Sequence, residues 1–402
     1  MTFRNPGPRS VFAIEMNANR IIAGAGVLLA SLLAGAVLAV EPASAKKPPN
    51  DFYGVVPQVA LESEDFTQMQ GDRVGIVRQL FLWPAIEPYR GQYDWSLTDE
   101  VMRQASSTGI EVFPVLYGTP SWAQSEKMNS RCGVTCAPST QQARAGFARF
   151  ARAAVARYGP GGTFWTHPPP PQPPPSDPCL VPPLLCKRGG LGETPIEVWQ
   201  VWNEQNSPKY YGPKVNVGQY ARLIAQTSKA IRREDRKADV VLGGMWGPPG
   251  TDSVVPTVRY LERLYRVRGS RSSFDSIAVH PYAGRFASVK GQLRGTRRLA
   301  TRVGDGNVGI WVTELGWASG GPQGQALVKT PAEQARLLRK SFRFLIRKRV
   351  EWRIRSVHWY SWRDTDSRAQ ICSWCPESGL RTSSGGEKPA AATFRALPRS
   401  GG

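Results

Sequence analysis

The chain is short of acid relative to base. Of its 402 residues, 31 are Asp or Glu and 52 are Lys or Arg, giving a formal net charge of +21. Such a field favours nucleic acid, an anionic surface or an acidic glycan as a partner class. The chain carries no zinc-finger or RNA-binding pattern, and its Arg-heavy charge is scattered, so nucleic acid is the weaker reading. No repeat of solenoid length occurs, which excludes stacked-repeat folds. No Gly-rich phosphate loop follows the first apolar run, where Gln58-Val59-Ala60-Leu61 stands. A doubly wound nucleotide-binding sheet usually announces itself there. After residue 45 no apolar run is long enough to span a bilayer.

The residues present point to a large exported domain. A hydrophobic share of 41% with 10% aromatics excludes global disorder. Arg20 precedes an apolar run from Ile21 to Val40, and Ala43-Ser44-Ala45 follows as a small-residue cleavage pattern. Residues 1–45 therefore read as an export signal, with an uncleaved anchor as the competing reading. Removing that segment takes away three Arg and two Glu and leaves +20. Residues 46–51 read as a short linker, 52–398 as one catalytic domain and 399–402 as a tail. The six cysteines fall in three close pairs: Cys132 with Cys136, Cys179 with Cys186, and Cys372 with Cys375. In an exported chain an even set reads as disulfides, although six cysteines allow fifteen connectivities. A lone C-x-x-C at Cys372-Ser373-Trp374-Cys375 is weak evidence for zinc, so no metal and no cofactor is expected.

Short apolar β-rich runs alternate with amphipathic stretches. The strand candidates are residues 52–58, 74–82, 111–117, 196–202, 240–244, 276–280, 309–314 and 356–361, most of them nearly continuous apolar runs, as buried parallel strands are. Helix starts are marked at Ser139 with Gln142, at Asn216 with Gln219, and at Thr330-Pro331 with Glu333. Eight strand–helix alternations predict an α/β fold, a (β/α)8 TIM barrel. A Pro-rich surface insertion at 167–185 interrupts the rhythm before the fourth strand.

Barrel enzymes place their chemistry at the C-terminal ends of the strands. The fourth strand runs into Trp202-Asn203-Glu204, and the seventh into Thr313-Glu314-Leu315-Gly316-Trp317. A carboxylate where an apolar run ends is costly unless it is used or paired. Two of them in matching positions, 110 residues apart, suit glycoside hydrolysis, in which one carboxyl protonates the leaving oxygen and the other attacks the anomeric carbon. Each is flanked by Trp, which offers flat apolar platforms for sugar faces. Taken singly, either Glu could instead cap a helix or pair with an Arg.

Several motifs in order carry a family resemblance. Trp202-Asn203-Glu204 resembles the Asn-Glu acid/base motif of the clan of retaining (β/α)8 glycoside hydrolases, clan A, and Thr313-Glu314-Leu315-Gly316 resembles its nucleophile strand. Trp83, Ile86-Glu87-Pro88, Gly91-Gln92-Tyr93-Asp94-Trp95 and Pro120-Ser121-Trp122-Ala123 resemble the family 39-like branch, close to the cellulase-like barrels. The resemblance implies that Glu204 is the acid/base and Glu314 the nucleophile. Asn203 would then bind the sugar 2-hydroxyl, and Arg78 and Tyr282 would orient Glu314. His280 would support the acid or bind substrate. Trp83, Tyr117, Trp122, Trp359 and Trp362 are the remaining substrate-binding candidates. Gln205-Asn206 departs from the Pro that many clan members carry after the acid.

The expected protein is thus an exported retaining hydrolase of a poly- or oligosaccharide. A catalytically silent glycan-binding barrel and a wall-binding scaffold are the alternatives. The densest basic runs, 232–237, 263–271 and 347–355, fall at helix ends leading into the next strand. They would lie on the N-terminal face of the barrel, opposite the mouth, with an anionic cell envelope as their partner.

Overall fold

A computed structural model describes residues 48–169, 192–247, 254–366 and 372–399. Residues 1–47, which hold the expected export signal, and most of the Pro-rich stretch lie outside the described residues. So do Cys179 and Cys186. The disulfide expected between these two therefore falls outside the described residues. Eight parallel strands close into a barrel in sequence order. They are β1 (Tyr53–Val56), β2 (Ile76–Leu82), β3 (Glu111–Tyr117), β4 (Val198–Asn203), β5 (Asp239–Trp246), β6 (Ser276–His280), β7 (Gly309–Leu315) and β8 (Ile354–Tyr360). The last strand pairs with the first, Tyr53 opposite Val357 through Val56 opposite Tyr360, so no edge remains. Each expected strand is found, β3 and β6 with the expected ends and the others with ends moved by a few residues.

A helix follows each strand: Ser63–Gly71, Ser96–Thr108, Gln141–Tyr158, Val217–Glu234, Thr257–Tyr265, Phe286–Arg302, Pro331–Trp352 and Pro389–Arg395. Two of the expected caps close their helices. The Asn216 side chain accepts from the Gln219 N–H at 2.9 Å, and Thr330 Oγ1 accepts from the Glu333 N–H at 3.2 Å. The third start differs by one residue: Thr140, not Ser139, accepts from Ala143. No helix among the described residues is long and apolar enough to cross a membrane.

Two apolar regions result. The larger lies between the strands and the ring of helices. The smaller joins Ile76, Phe113, Val241, Ala278 and Trp311. These five side chains come from five strands, so they fill the barrel interior, and Phe113 stacks on Trp311 with ring centroids 4.6 Å apart. Side chains alternate along a strand with period two. The next inward positions above Ile76, Val198 and Ala278 are therefore Arg78, Gln200 and His280, where the apolar plug gives way to a polar layer.

The C-terminal helix is tied to the first by a buried carboxylate. Asp72 is fully buried and meets Arg381 at 2.8 Å and Arg395 at 2.5 Å. Removing it strands a guanidinium in a low-dielectric site. Asp72→Ala is expected to cost about 3 kcal/mol of stability, read as a lower denaturant midpoint with the slope unchanged. Arg399, placed by sequence in a free tail, instead lies buried with its guanidinium 4.2 Å from the Tyr53 ring. Its aromatic partner is nearly 350 residues away and left no local signal.

Candidate active site

The mouth of the barrel holds a cavity of about 750 Å³, with Arg78, Asn203, Glu204, Tyr282 and Glu314 in its wall. Arg78 rises from β2 and organises one side. Its Nη1 donates to Glu314 Oε1 at 2.6 Å, its Nη2 to Asn203 Oδ1 at 2.8 Å and its Nε to Gln200 Oε1 at 2.8 Å. The Tyr282 hydroxyl donates to the other Glu314 oxygen at 2.9 Å. Glu314 therefore accepts from a guanidinium and a phenol, both of which favour its ionised form.

Glu204 is placed differently. It sits just past β4 with φ +45°, and Trp202 two residues earlier has φ +74°. Left-handed backbone at two non-glycine residues is costly and typical of functional sites. The strain turns Trp202 out of the barrel, where its indole N–H holds the Tyr210 carbonyl at 2.7 Å, and brings Glu204 to the mouth. The nearest polar group to Glu204 is His280 Nδ1, 2.7 Å from Oε1. His280 Nε2 is packed so tightly that any side chain at Gly244 would collide with it.

The electrostatics separate the two glutamates. Burial drives the Glu204 carboxyl well above the usual range, and the neighbouring Glu314 charge adds to the shift. Burial also raises Glu314, but the Arg78 charge and the hydrogen bonds from Tyr282 and Arg78 oppose it. Both carboxyls are thus raised, and Glu204, which lacks the Arg78 and Tyr282 hydrogen bonds, is raised the further. His280 is held neutral by burial and by the Arg78 charge, well below its ordinary value.

One ligand atom from each of Glu204, His280 and Glu314 lies within 4.8 Å of the others. A cation could use that spacing, but Arg78 already brings positive charge to Glu314. One oxygen of the Glu204 carboxyl therefore lies within 4.8 Å of one oxygen of the Glu314 carboxyl.

The expected aromatic platforms sit elsewhere. Trp83, Trp359 and Trp362 are buried behind the barrel wall, with their N–H groups on Glu87 Oε2, the Ser378 carbonyl and Asp65 Oδ1. Trp122 is half-buried against Trp83 and lines a separate, smaller cavity. Tyr117 packs on Trp202 and donates to the Tyr210 carbonyl at 3.1 Å, so it holds the loop after β4 instead of lining the cavity. The aromatic wall is built from Trp246, Tyr210, Tyr360 and Trp374. Trp374 lies 5.0 Å from the Tyr282 ring and 5.8 Å from that of Tyr360. It stands between Cys372 and Cys375, which are disulfide-paired, as are Cys132 and Cys136. Two of the three expected bridges are therefore present, and the third, Cys179 with Cys186, lies outside the described residues. The C-x-x-C that reads in sequence as a bridge or a half-zinc site thus frames a wall of the cavity.

Removing the phenol isolates its effect on Glu314. Tyr282→Phe is expected to lower kcat/KM for a cleavable glycoside by roughly tenfold to a hundredfold, the worth of a hydrogen bond to a buried charge. The acidic limb of the pH profile should move to higher pH, because the ionised form loses a donor. An unmoved limb would remove Tyr282 from the control of Glu314.

The family model for glycoside hydrolase family 42, described as beta-galactosidase, matches residues 56–128. No curated protein matches the chain in sequence. Among solved structures, a family 39 glycoside hydrolase from Bacteroides cellulosilyticus WH2 superposes with a TM-score of 0.59 at 18% identity, covering 87% of this chain and 64% of that one. A family 39 β-xylosidase from Caulobacter crescentus gives 0.57 at 17% identity, covering 87% and 72%. A family 10 structure from Paenibacillus barcinonensis gives 0.55 at 16% identity, covering 87% and 95%. The chain thus spans just under two thirds of the length of the first of these. The architecture shared with all three is the eight-stranded parallel barrel, and the chain has the (β/α)8 fold of the clan A glycoside hydrolases.

Proposed function

We propose that the protein is an exported glycoside hydrolase that cleaves O-glycosidic bonds of a poly- or oligosaccharide by retaining double displacement. The observation that carries the reading is the close pair of buried glutamates with opposite surroundings. Glu314 is gripped by Arg78 and Tyr282 as an anion, and Glu204 sits in a desolvated niche beside neutral His280.

In the first step Glu204 donates its proton to the leaving oxygen while a Glu314 oxygen bonds to the anomeric carbon. In the second, Glu204 takes a proton from water, and that water displaces Glu314. Asn203 already accepts from Arg78 through its carbonyl oxygen, so its amide N–H groups are free of that duty and can meet a sugar hydroxyl. Export rests on the apolar run and Ala-Ser-Ala pattern of residues 21–45 together with the paired cysteines.

The test uses residues 46–402 on a panel of aryl glycosides and cell-surface polysaccharides, with Glu204→Gln as control. Release of the first product in the anomeric configuration of the substrate, followed by NMR, is the expected result. An inverted first product rules out the covalent route, and no turnover with undiminished glycan binding rules out the enzyme.

A further inference from the structure

A second cavity, of about 500 Å³, opens between the Phe286–Arg302 and Pro331–Trp352 helices toward their C-terminal ends. Those ends lead into β7 and β8, so the cavity lies at the opposite end of the barrel from the catalytic mouth. Its wall is mostly cationic. Arg294, Arg298 and Arg302 follow one another at four-residue spacing along one helix, and Lys348 faces them from the other. Four residues of helix advance about 6 Å, so the guanidinium stems form a row along the trough. Trp352 is buried among these side chains, with Lys348 Nζ 5.9 Å from its ring.

The local acid does not balance this charge. Among the described residues, Glu351 is the only carboxylate in the wall, and both Lys348 and the Trp352 N–H engage it. Arg302 reaches Glu262, and Arg297 is committed to the carbonyls of Gly306 and Val308. Arg294 and Arg298 are exposed. Guanidinium groups in a row, forked and weakly hydrated, suit phosphate oxygens.

We infer that this trough binds the phosphate groups of a linear polyanion and moors the protein with its catalytic mouth turned away. A concave groove between two helices suits a chain laid along it better than a flat bilayer. Among the described residues, the two helices carry one large exposed apolar side chain, Val350, too little for insertion into lipid. The inference does not rest on the proposed activity.

The test measures binding of inorganic polyphosphate chains by residues 46–402 across a salt series. Arg294→Glu/Arg298→Glu is compared with Arg233→Glu/Arg268→Glu, a control of equal charge change at exposed positions outside the trough. The trough variant is expected to bind at least tenfold more weakly at moderate salt, with a salt slope shallower by about 1.5, the share of two lost phosphate contacts. The control should change affinity less than threefold, and both variants should cleave a soluble substrate at the parent rate. The milder Arg294→Gln/Arg298→Gln pair covers a failure of the reversal to fold. Equal loss in trough and control variants would reduce the effect to net charge and overturn the site. Binding to phosphatidylglycerol vesicles without binding to polyphosphate would overturn the polymer.

Discussion

Glu314→Ala is expected to lower turnover by roughly 10⁴-fold or more, since it removes the atom that would form the covalent bond in the proposed mechanism. Sodium azide should restore part of the rate. The deleted carboxylate leaves a hole lined by the two groups that held it, the Arg78 guanidinium and the Tyr282 hydroxyl, formerly at 2.6 and 2.9 Å. A small anion entering there meets the same charge and the same donor, on the face of the sugar from which the carboxylate attacked. The rescued product should be a glycosyl azide of inverted configuration, where the proposed mechanism has the parent protein give retention. Near-normal rates in Glu314→Ala would withdraw the nucleophile role. Because the side chain is almost fully buried, a thermal melt should accompany the kinetics to separate lost chemistry from lost fold.

The barrel was legible because its signal is repeated eight times. A buried parallel strand must be apolar on both faces, and such runs stand out in a chain with turn residues between them. β3 and β6 begin and end where the apolar runs do, at Glu111 and Tyr117 and at Ser276 and His280. The ends that moved did so for local reasons. β5 runs on through Gly243 and Gly244 to Trp246, two residues past the expected end. There the missing side chains make room for Gln205 and His280. A glycine required by a close approach looks the same in sequence as a glycine required by a turn.

The carboxylates were legible and the aromatic wall was not. Glu204 and Glu314 announce themselves because an acid at the end of an apolar run needs a reason. A tryptophan at the same place does not, since it is equally at home behind the wall. On β8 the period of two decides the matter: Tyr360 lines the cavity, so Trp359 points away and packs on Trp317 with its N–H on the Ser378 carbonyl. Choosing between neighbours needs the register of the closed barrel, and the register shifts where β7 meets β8 between Val312 and Leu315. Trp374 stands on no strand at all. It reaches the cavity from a loop some 60 residues beyond Glu314, inside a C-x-x-C whose spacing signals sulfur chemistry and says nothing of the indole.

Glu204→Gln should divide substrates by their leaving groups. For a sugar or alkyl leaving group, which needs its proton, the loss is expected to be about 10² to 10⁴-fold. For a leaving group already stable as an anion, such as a dinitrophenolate, the first step should stay close to the parent rate. The second step then slows, because no base activates water, and the glycosyl–enzyme accumulates as a burst. The pH profile supplies the independent check. In the parent protein Glu204 must be protonated to act, and burial with the Glu314 charge holds its pKa well above the usual carboxylate range. Activity should therefore fall as pH rises through that raised value. Glu314 must be ionised, so activity should also fall as pH drops through its own pKa, which burial raises above the usual value against the opposing pull of Arg78 and Tyr282. Glutamine does not titrate, so the variant should lose the alkaline limb and keep the acidic one. If Glu204→Gln kept both limbs, the alkaline limb would belong to another group. Tyr282 and His280 are poor candidates for it, because burial carries the phenol far above and the imidazole far below neutral pH. The acid role would then have to move to a residue outside the pair.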